Sequence, residues 1–120
     1  MIRKKKILVV DDTDAIRKFL KLTLESNDFE VVEGRDGQGG IDAHKLEKPD
    51  VIILDLGLPD MDGIEVLESI RNKDSKIPVI ILTVRSDRSY IEEAQEKGAN
   101  AYITKPFQVN DIIETIETVC

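Results

Sequence analysis

Several polar residues sit where short apolar runs end, and their types suit metal or phosphate chemistry. Ile7-Leu8-Val9-Val10 runs into the adjacent acids Asp11 and Asp12, with Asp14 two positions on. Val51-Ile52-Ile53-Leu54 runs into Asp55, and Pro78-Val79-Ile80-Ile81-Leu82 into Thr83. Ala101-Tyr102-Ile103 leads to Thr104-Lys105-Pro106. Two carboxylates ~5 Å apart repel by about 3 kcal/mol at an effective dielectric of 20. A site holding three therefore needs a cation. All-oxygen ligands without His or Cys favour a hard ion, and a phosphate substrate would make Mg²⁺ the natural choice.

The elements that must gather these residues are legible in the apolar pattern. Together with Phe29-Glu30-Val31-Val32, the runs make five short β-branched segments starting at 7, 29, 51, 78 and 101. The first, third and fourth are continuous rather than alternating, as expected of central parallel strands covered on both faces. Between them lie helical spacings: Ile16, Phe19, Leu20 and Leu24, with Arg17, Lys18 and Lys21 outside the stripe; then Val66, Leu67 and Ile70. Ile91, Ala94 and Gln95 follow, stopped by Gly98, and last Val109, Ile112, Ile113, Ile116 and Val119. The segment around Ile41, Ala43 and Leu46 is the weakest, because Gly37, Gly39 and Gly40 erode its start. Five strand–helix repeats predict a (βα)5 doubly wound parallel sheet, a three-layer sandwich forming one domain over residues 1–120.

In a parallel sheet all carboxyl ends lie on one edge, and ligands bind there where the strand order reverses. For the order 2-1-3-4-5 the reversal falls between the first and third strands, which carry the carboxylates. Strand spacing of ~4.8 Å puts Asp55 beside Asp12 on one side and Thr83 on the other. Lys105 starts two strands away, within reach of an extended side chain.

Bulk properties exclude other classes. The 120 residues carry 17 basic and 24 acidic groups, net −7, which argues against nonspecific binding to nucleic acid or anionic membrane. Cys120 is the single cysteine, so no intrachain disulfide or Cys-based zinc site is expected. The basic start is followed by four apolar residues, too few for a secretory signal, and no stretch approaches a membrane span. A soluble cytoplasmic protein is expected.

Asp11-Asp12, the stretch LDLGLPDMDG from Leu54 to Gly63, Thr83 and Lys105-Pro106 together resemble a two-component response-regulator receiver domain of the chemotaxis-receiver type. The resemblance covers essentially the whole chain and implies a flavodoxin-like fold. It implies that Asp55 takes a phosphoryl group from a partner histidine kinase or histidine phosphotransfer protein. Mg²⁺, or Mn²⁺ in its place, would be bound by Asp12, Asp55 and the backbone carbonyl of Gly57, with Asp11 acting through water. Thr83 would hydrogen-bond the phosphoryl oxygens, Lys105 would pair with them, and the peptide bond before Pro106 would be cis. Tyr102 matches a switching aromatic that follows Thr83, altering the face of the fourth helix, fifth strand and fifth helix that a downstream protein reads. The implied state is a monomer or a phosphorylation-dependent dimer. The domain would catalyse only its own phosphorylation and dephosphorylation.

Simpler readings compete residue by residue. Thr13 or Asp14 could cap the first helix, Asp62-Gly63 could start the third with Asp60 lining the loop, and lone His44 reads as solvated. A calcium loop fails, since registering Gly63 as the turn glycine puts Leu58 and Ser69 at ligand positions. A haloacid-dehalogenase-like phosphohydrolase needs a second acid where Gly57 stands. A flavodoxin-like FMN binder needs a glycine- and hydroxyl-rich loop where Asp11-Asp12-Thr13-Asp14 stands. Val84 is larger than the small residue usual after Thr83 and would narrow phosphodonor access, while Gly57 and Arg85 hold positions that tune autodephosphorylation in relatives. The fifth strand and helix lack the second acid and the arginines of the winged-helix regulators, so a stand-alone receiver is expected.

Overall fold

The computed structural model describes residues 3–120. Five strands, β1 (Lys6–Val10), β2 (Glu30–Gly34), β3 (Val51–Leu54), β4 (Val79–Thr83) and β5 (Ala101–Thr104), alternate with five helices. The helices are α1 (Asp14–Glu25), α2 (Gly37–Glu47), α3 (Gly63–Lys73), α4 (Arg88–Glu96) and α5 (Val109–Val119). The pairings between these strands are all parallel and the order is β2-β1-β3-β4-β5. The expected doubly wound sandwich is the one that forms.

The continuous apolar runs are explained by where alternate side chains go. Leu8, Val10, Ile52, Leu54, Val79 and Ile81 face one cluster with Val66, Leu67 and Ile70 of α3 and Ala94 of α4. Ile7, Val9, Val51, Ile53, Ile80 and Leu82 face the other, with Leu20 and Leu24 of α1 and Ile112 and Ile116 of α5. Side chains alternate across a strand, so a strand buried on both faces can show no polar alternation. β5 lies at the sheet edge and is only half-buried.

Two glycines answer to geometry. Gly98 ends α4 at φ 103°, a left-handed conformation that favours glycine. At Gly63 an added Cβ would lie 2.4 Å from Leu56 Cα and 2.5 Å from the Asp55 carbonyl oxygen, so α3 starts pressed against the backbone leaving β3.

Four local expectations are corrected. Thr13 is the N-cap residue of α1 but neither it nor Asp14 caps through a side chain. Instead the Thr13 N–H donates to Asp11 Oδ1 at 2.9 Å, and Asp14 pairs with Arg17. Arg17 is not outside the apolar stripe but buried, because its charge has partners on the β1 and β2 side. His44 is not solvated: its side chain is only 11% exposed, with Nε2 3.5 Å from Asp74 Oδ2. On α2 the apolar reading holds for Ile41 and Ala43 but not for Leu46, which is 76% exposed.

Candidate functional site

The strand order reverses at β1, between β2 and β3, and the β1–β3 register runs to Val10↔Leu54. The next residues along are Asp11 and Asp55, so Asp11, not Asp12, stands level with Asp55, and the Asp55 N–H donates to the Val10 carbonyl at 2.9 Å. Asp12 follows one step out and is exposed, while Asp11 and Asp55 are buried. Side-chain oxygens of all three lie within 4.8 Å of one another. This all-oxygen donor set, with no nitrogen or sulfur, fits a hard divalent cation such as Mg²⁺.

Lys105 reaches this cluster from beyond β5. Its Nζ donates to Asp11 Oδ2 at 2.7 Å and Asp55 Oδ2 at 3.2 Å. Burial works against the ammonium charge, but the hydrogen bond and charge of Asp11, then those of Asp55, outweigh it and hold the lysine pKa above its ordinary value. The Lys105 N–H donates to the Thr83 carbonyl at 2.8 Å, and the Lys105–Pro106 peptide is cis. Asp55 Oδ1 accepts the Gly57 N–H at 3.0 Å, which fixes the carboxylate at the start of the loop.

Thr83 ends β4 on the same edge and is fully buried; its Oγ1 accepts the Arg85 N–H at 3.4 Å. Arg85 is the next crossing point. Its guanidinium meets Asp62 Oδ2 at 3.2 Å and lies 4.9 Å from the Tyr90 ring centroid, and its carbonyl accepts the Tyr102 hydroxyl at 2.6 Å. Burial pushes the Tyr102 pKa up. Val84 is 71% exposed and, with Ile16, Phe19, Lys105, Pro106 and Phe107, lines an apolar groove of about 480 Å³ beside the lysine.

Two supporting residues were not singled out from sequence as parts of the site. Arg17 Nη1 donates to the Asp11 carbonyl at 2.6 Å and its Nε to Glu33 Oε1 at 3.2 Å, anchoring the acidic turn from below. Asp60, expected only to line its loop, accepts the N–H groups of Gly37 at 2.7 Å and Gln38 at 2.9 Å, at the start of α2. Those amides hold its carboxyl below the usual range, Gln38 first and Gly37 second. Neither contact leaves a local sequence signal, since the partners stand 16 to 23 positions away or are backbone atoms.

Comparisons with known proteins follow the same lines. The family described as response regulator receiver domain matches residues 7–117. The chain is 43% identical over 106 residues to the KDP operon transcriptional regulatory protein KdpE of Escherichia coli, covering 88% of this chain and 47% of that protein. It is 36% identical over 113 residues to chemotaxis protein CheY of Listeria monocytogenes, covering 93% of this chain and 95% of that one. The crystal structure of a CheY-like receiver domain protein from Methanospirillum hungatei superposes with TM-score 0.93 at 31% identity, over 97% of this chain and 93% of that chain. The chain thus spans about half the length of the transcriptional regulators it matches. The matches lend no support to a phosphohydrolase or an FMN-binding module. Among the described residues no helix is long and apolar enough to cross a membrane.

Proposed function

The chain belongs to the response-regulator receiver domain family, whose members serve phosphorelay signalling, and we propose that Asp55 is its phosphoryl acceptor. In this reading the P–N bond of a phosphohistidine on a partner histidine kinase or phosphotransfer protein breaks. A P–O bond forms to an Asp55 carboxylate oxygen, and the histidine nitrogen keeps the bonding electron pair.

Mg²⁺, or Mn²⁺ in its place, would be held by Asp11, Asp12, Asp55 and the Gly57 carbonyl. When bound it supplies positive charge that lowers the repulsion between carboxylate and phosphate. The chain's own groups do the rest. Lys105 offers an ammonium to the phosphoryl oxygens, Thr83 offers a hydroxyl, and the Gly57 amide orients the Asp55 carboxylate. The groove at Phe19, Val84 and Phe107 gives an arriving partner an apolar seat next to Lys105.

Thr83 drawn toward the phosphoryl group would weaken its bond to the Arg85 amide. Arg85 also accepts the Tyr102 hydroxyl, so the same movement would release Tyr102 and remodel the α4-β5-α5 face, read by a downstream protein. The net charge of −7 favours a protein reader over direct contact with nucleic acid. The family is not one of turnover enzymes, and the reaction would be a self-phosphorylation followed by slow self-hydrolysis in a cytoplasmic monomer or phosphorylation-dependent dimer.

The observation that carries this reading is three carboxylates within 4.8 Å of one another with Lys105 bridging two of them. The test is exposure to a small acyl-phosphate donor with and without Mg²⁺, read by intact mass. Wild type should gain one phosphoryl group only with Mg²⁺, and Asp55→Asn none. Equal labelling of both proteins would defeat the assignment.

A further inference from the structure

The loop from Asp55 to Gly63 carries both the proposed acceptor and the Gly57 carbonyl, and three ties hold it. At one end Asp55 Oδ1 takes the Gly57 amide. At the other, Gly57 bridges to Asp62, which caps α3 through the Ile64 N–H at 2.9 Å, and the Gly63 N–H donates to the Leu56 carbonyl at 2.9 Å. The third tie leaves the loop altogether. Asp60 at its tip takes the first two amides of α2 in a two-pronged contact. Beside it Met61 packs so closely that a Cβ on Gly37 would lie 2.4 Å from Met61 Cγ.

Capping α2 does not by itself require Asp60, since Asp36 already accepts the Gly39 N–H at 2.6 Å from within the helix's own N-terminus. What Asp60 adds is a link between two elements. An ionised carboxylate on two amides makes strong, directional bonds, and here they fasten the exposed tip of the metal loop to a helix packed on the sheet. We propose that Asp60 is a positioning residue for the cation site, acting through the loop that presents Gly57 rather than by touching the ion. The proposal rests on the metal reading of Asp11, Asp12 and Asp55.

Groups that orient the ligands of a metal typically change its affinity by 10–100-fold. Mg²⁺ titration of the intact chain, followed by calorimetry and by amide NMR, should show Asp60→Ala binding roughly tenfold more weakly than wild type. Asp60→Asn keeps a carbonyl oxygen for one amide and should stay within about threefold. Asp36→Ala, which removes a cap from the same helix without touching the loop, should lower the melting temperature yet leave Mg²⁺ affinity unchanged.

Equal weakening by Asn and Ala would reduce the effect to lost negative charge and overturn the proposal, as would undiminished binding by Asp60→Ala. Wild type failing to bind Mg²⁺ would instead sink the functional reading beneath it. Should Asp60→Ala not fold, wild type alone decides. Linkage is reciprocal, so saturating Mg²⁺ must slow hydrogen exchange at Gly37 and Gln38, and unchanged exchange there refutes the link.

Discussion

Replacing Asp12 by Asn should stabilise the metal-free protein and destabilise it relative to wild type once Mg²⁺ is added. The reversal follows from the local charge set. Side-chain oxygens of Asp11, Asp12 and Asp55 lie within 4.8 Å of one another, and Lys105 bonds only Asp11 and Asp55. Asp12 therefore faces two like charges. A pair at 4.8 Å repels by about 3.5 kcal/mol at an effective dielectric of 20 and about 0.9 kcal/mol in bulk water. Asp12 is exposed, which places it near the water limit, and attraction to the Lys105 ammonium offsets part of the sum. Neutralising it should gain about 1 kcal/mol, on the order of 4 °C in melting temperature for a domain of this size.

Thermal unfolding followed by circular dichroism, in low-salt buffer with chelator, measures that gain directly. About 0.5 M salt should erase most of it, because exposed charges are screened over a few ångströms there. Mg²⁺ at about ten times its dissociation constant should stabilise wild type by about 1.4 kcal/mol and the variant by far less, so the order inverts. A lower melting temperature for Asp12→Asn in chelator, or an equal Mg²⁺ shift in both proteins, would show that the acids neither repel nor share a cation.

Other perturbations probe the supports. Arg17→Met leaves the Asp11 carbonyl and Glu33 without their buried cation and should cost about 2–4 kcal/mol by urea denaturation; a loss under about 0.5 kcal/mol would contradict the anchoring role. Gly63→Ala drives a methyl into backbone 2.4 Å away and should cost about 3 kcal/mol, measured the same way. Burial raises the Tyr102 pKa above the ordinary value of 10.0. Its contribution to stability is therefore complete below pH 10 and is lost as pH rises through the folded-state value. An ultraviolet titration should show a phenol ionising above 10.0 that vanishes in Tyr102→Phe, and its persistence there would assign the shift to the wrong ring.

The fold was legible because each level of the sequence agreed. Continuous β-branched runs mark strands covered on two faces, and apolar spacing at 3.6 residues marks the helices between them. The acids were legible because they stand directly after such runs. Their mutual register was not: a strand end known to within one residue cannot say whether Asp11 or Asp12 sits level with Asp55. The supports were hidden for a different reason. Arg17 looks like any lysine or arginine on a helix exterior until β2 brings Glu33 beside it. His44 sits on a helix weakened by glycines, and its polar partner Asp74 stands thirty positions away. Asp60 resembles a loop acid because its partners are backbone amides, which no side-chain pattern announces.

Why a chain should fold with three acids crowded at one edge is a question of magnitudes. The eight aliphatic side chains of Ile7–Val10 and Val51–Leu54 are almost wholly buried. At about 1.5–3 kcal/mol each, their burial contributes roughly 12–24 kcal/mol before chain entropy is charged against it. The repulsion remaining after Lys105 bridges Asp11 and Asp55 is a few kcal/mol at most. The strands therefore decide the register, and the carboxylates are carried to the rim regardless of their mutual dislike. Three carboxylates and one ammonium leave the rim at −2, the charge a divalent cation cancels. The core thus holds the acids in a geometry they would not choose, and a divalent cation bound there would relieve it. Such relief would be available to alter the neighbouring Thr83, Arg85 and Tyr102 contacts, because folding does not depend on it.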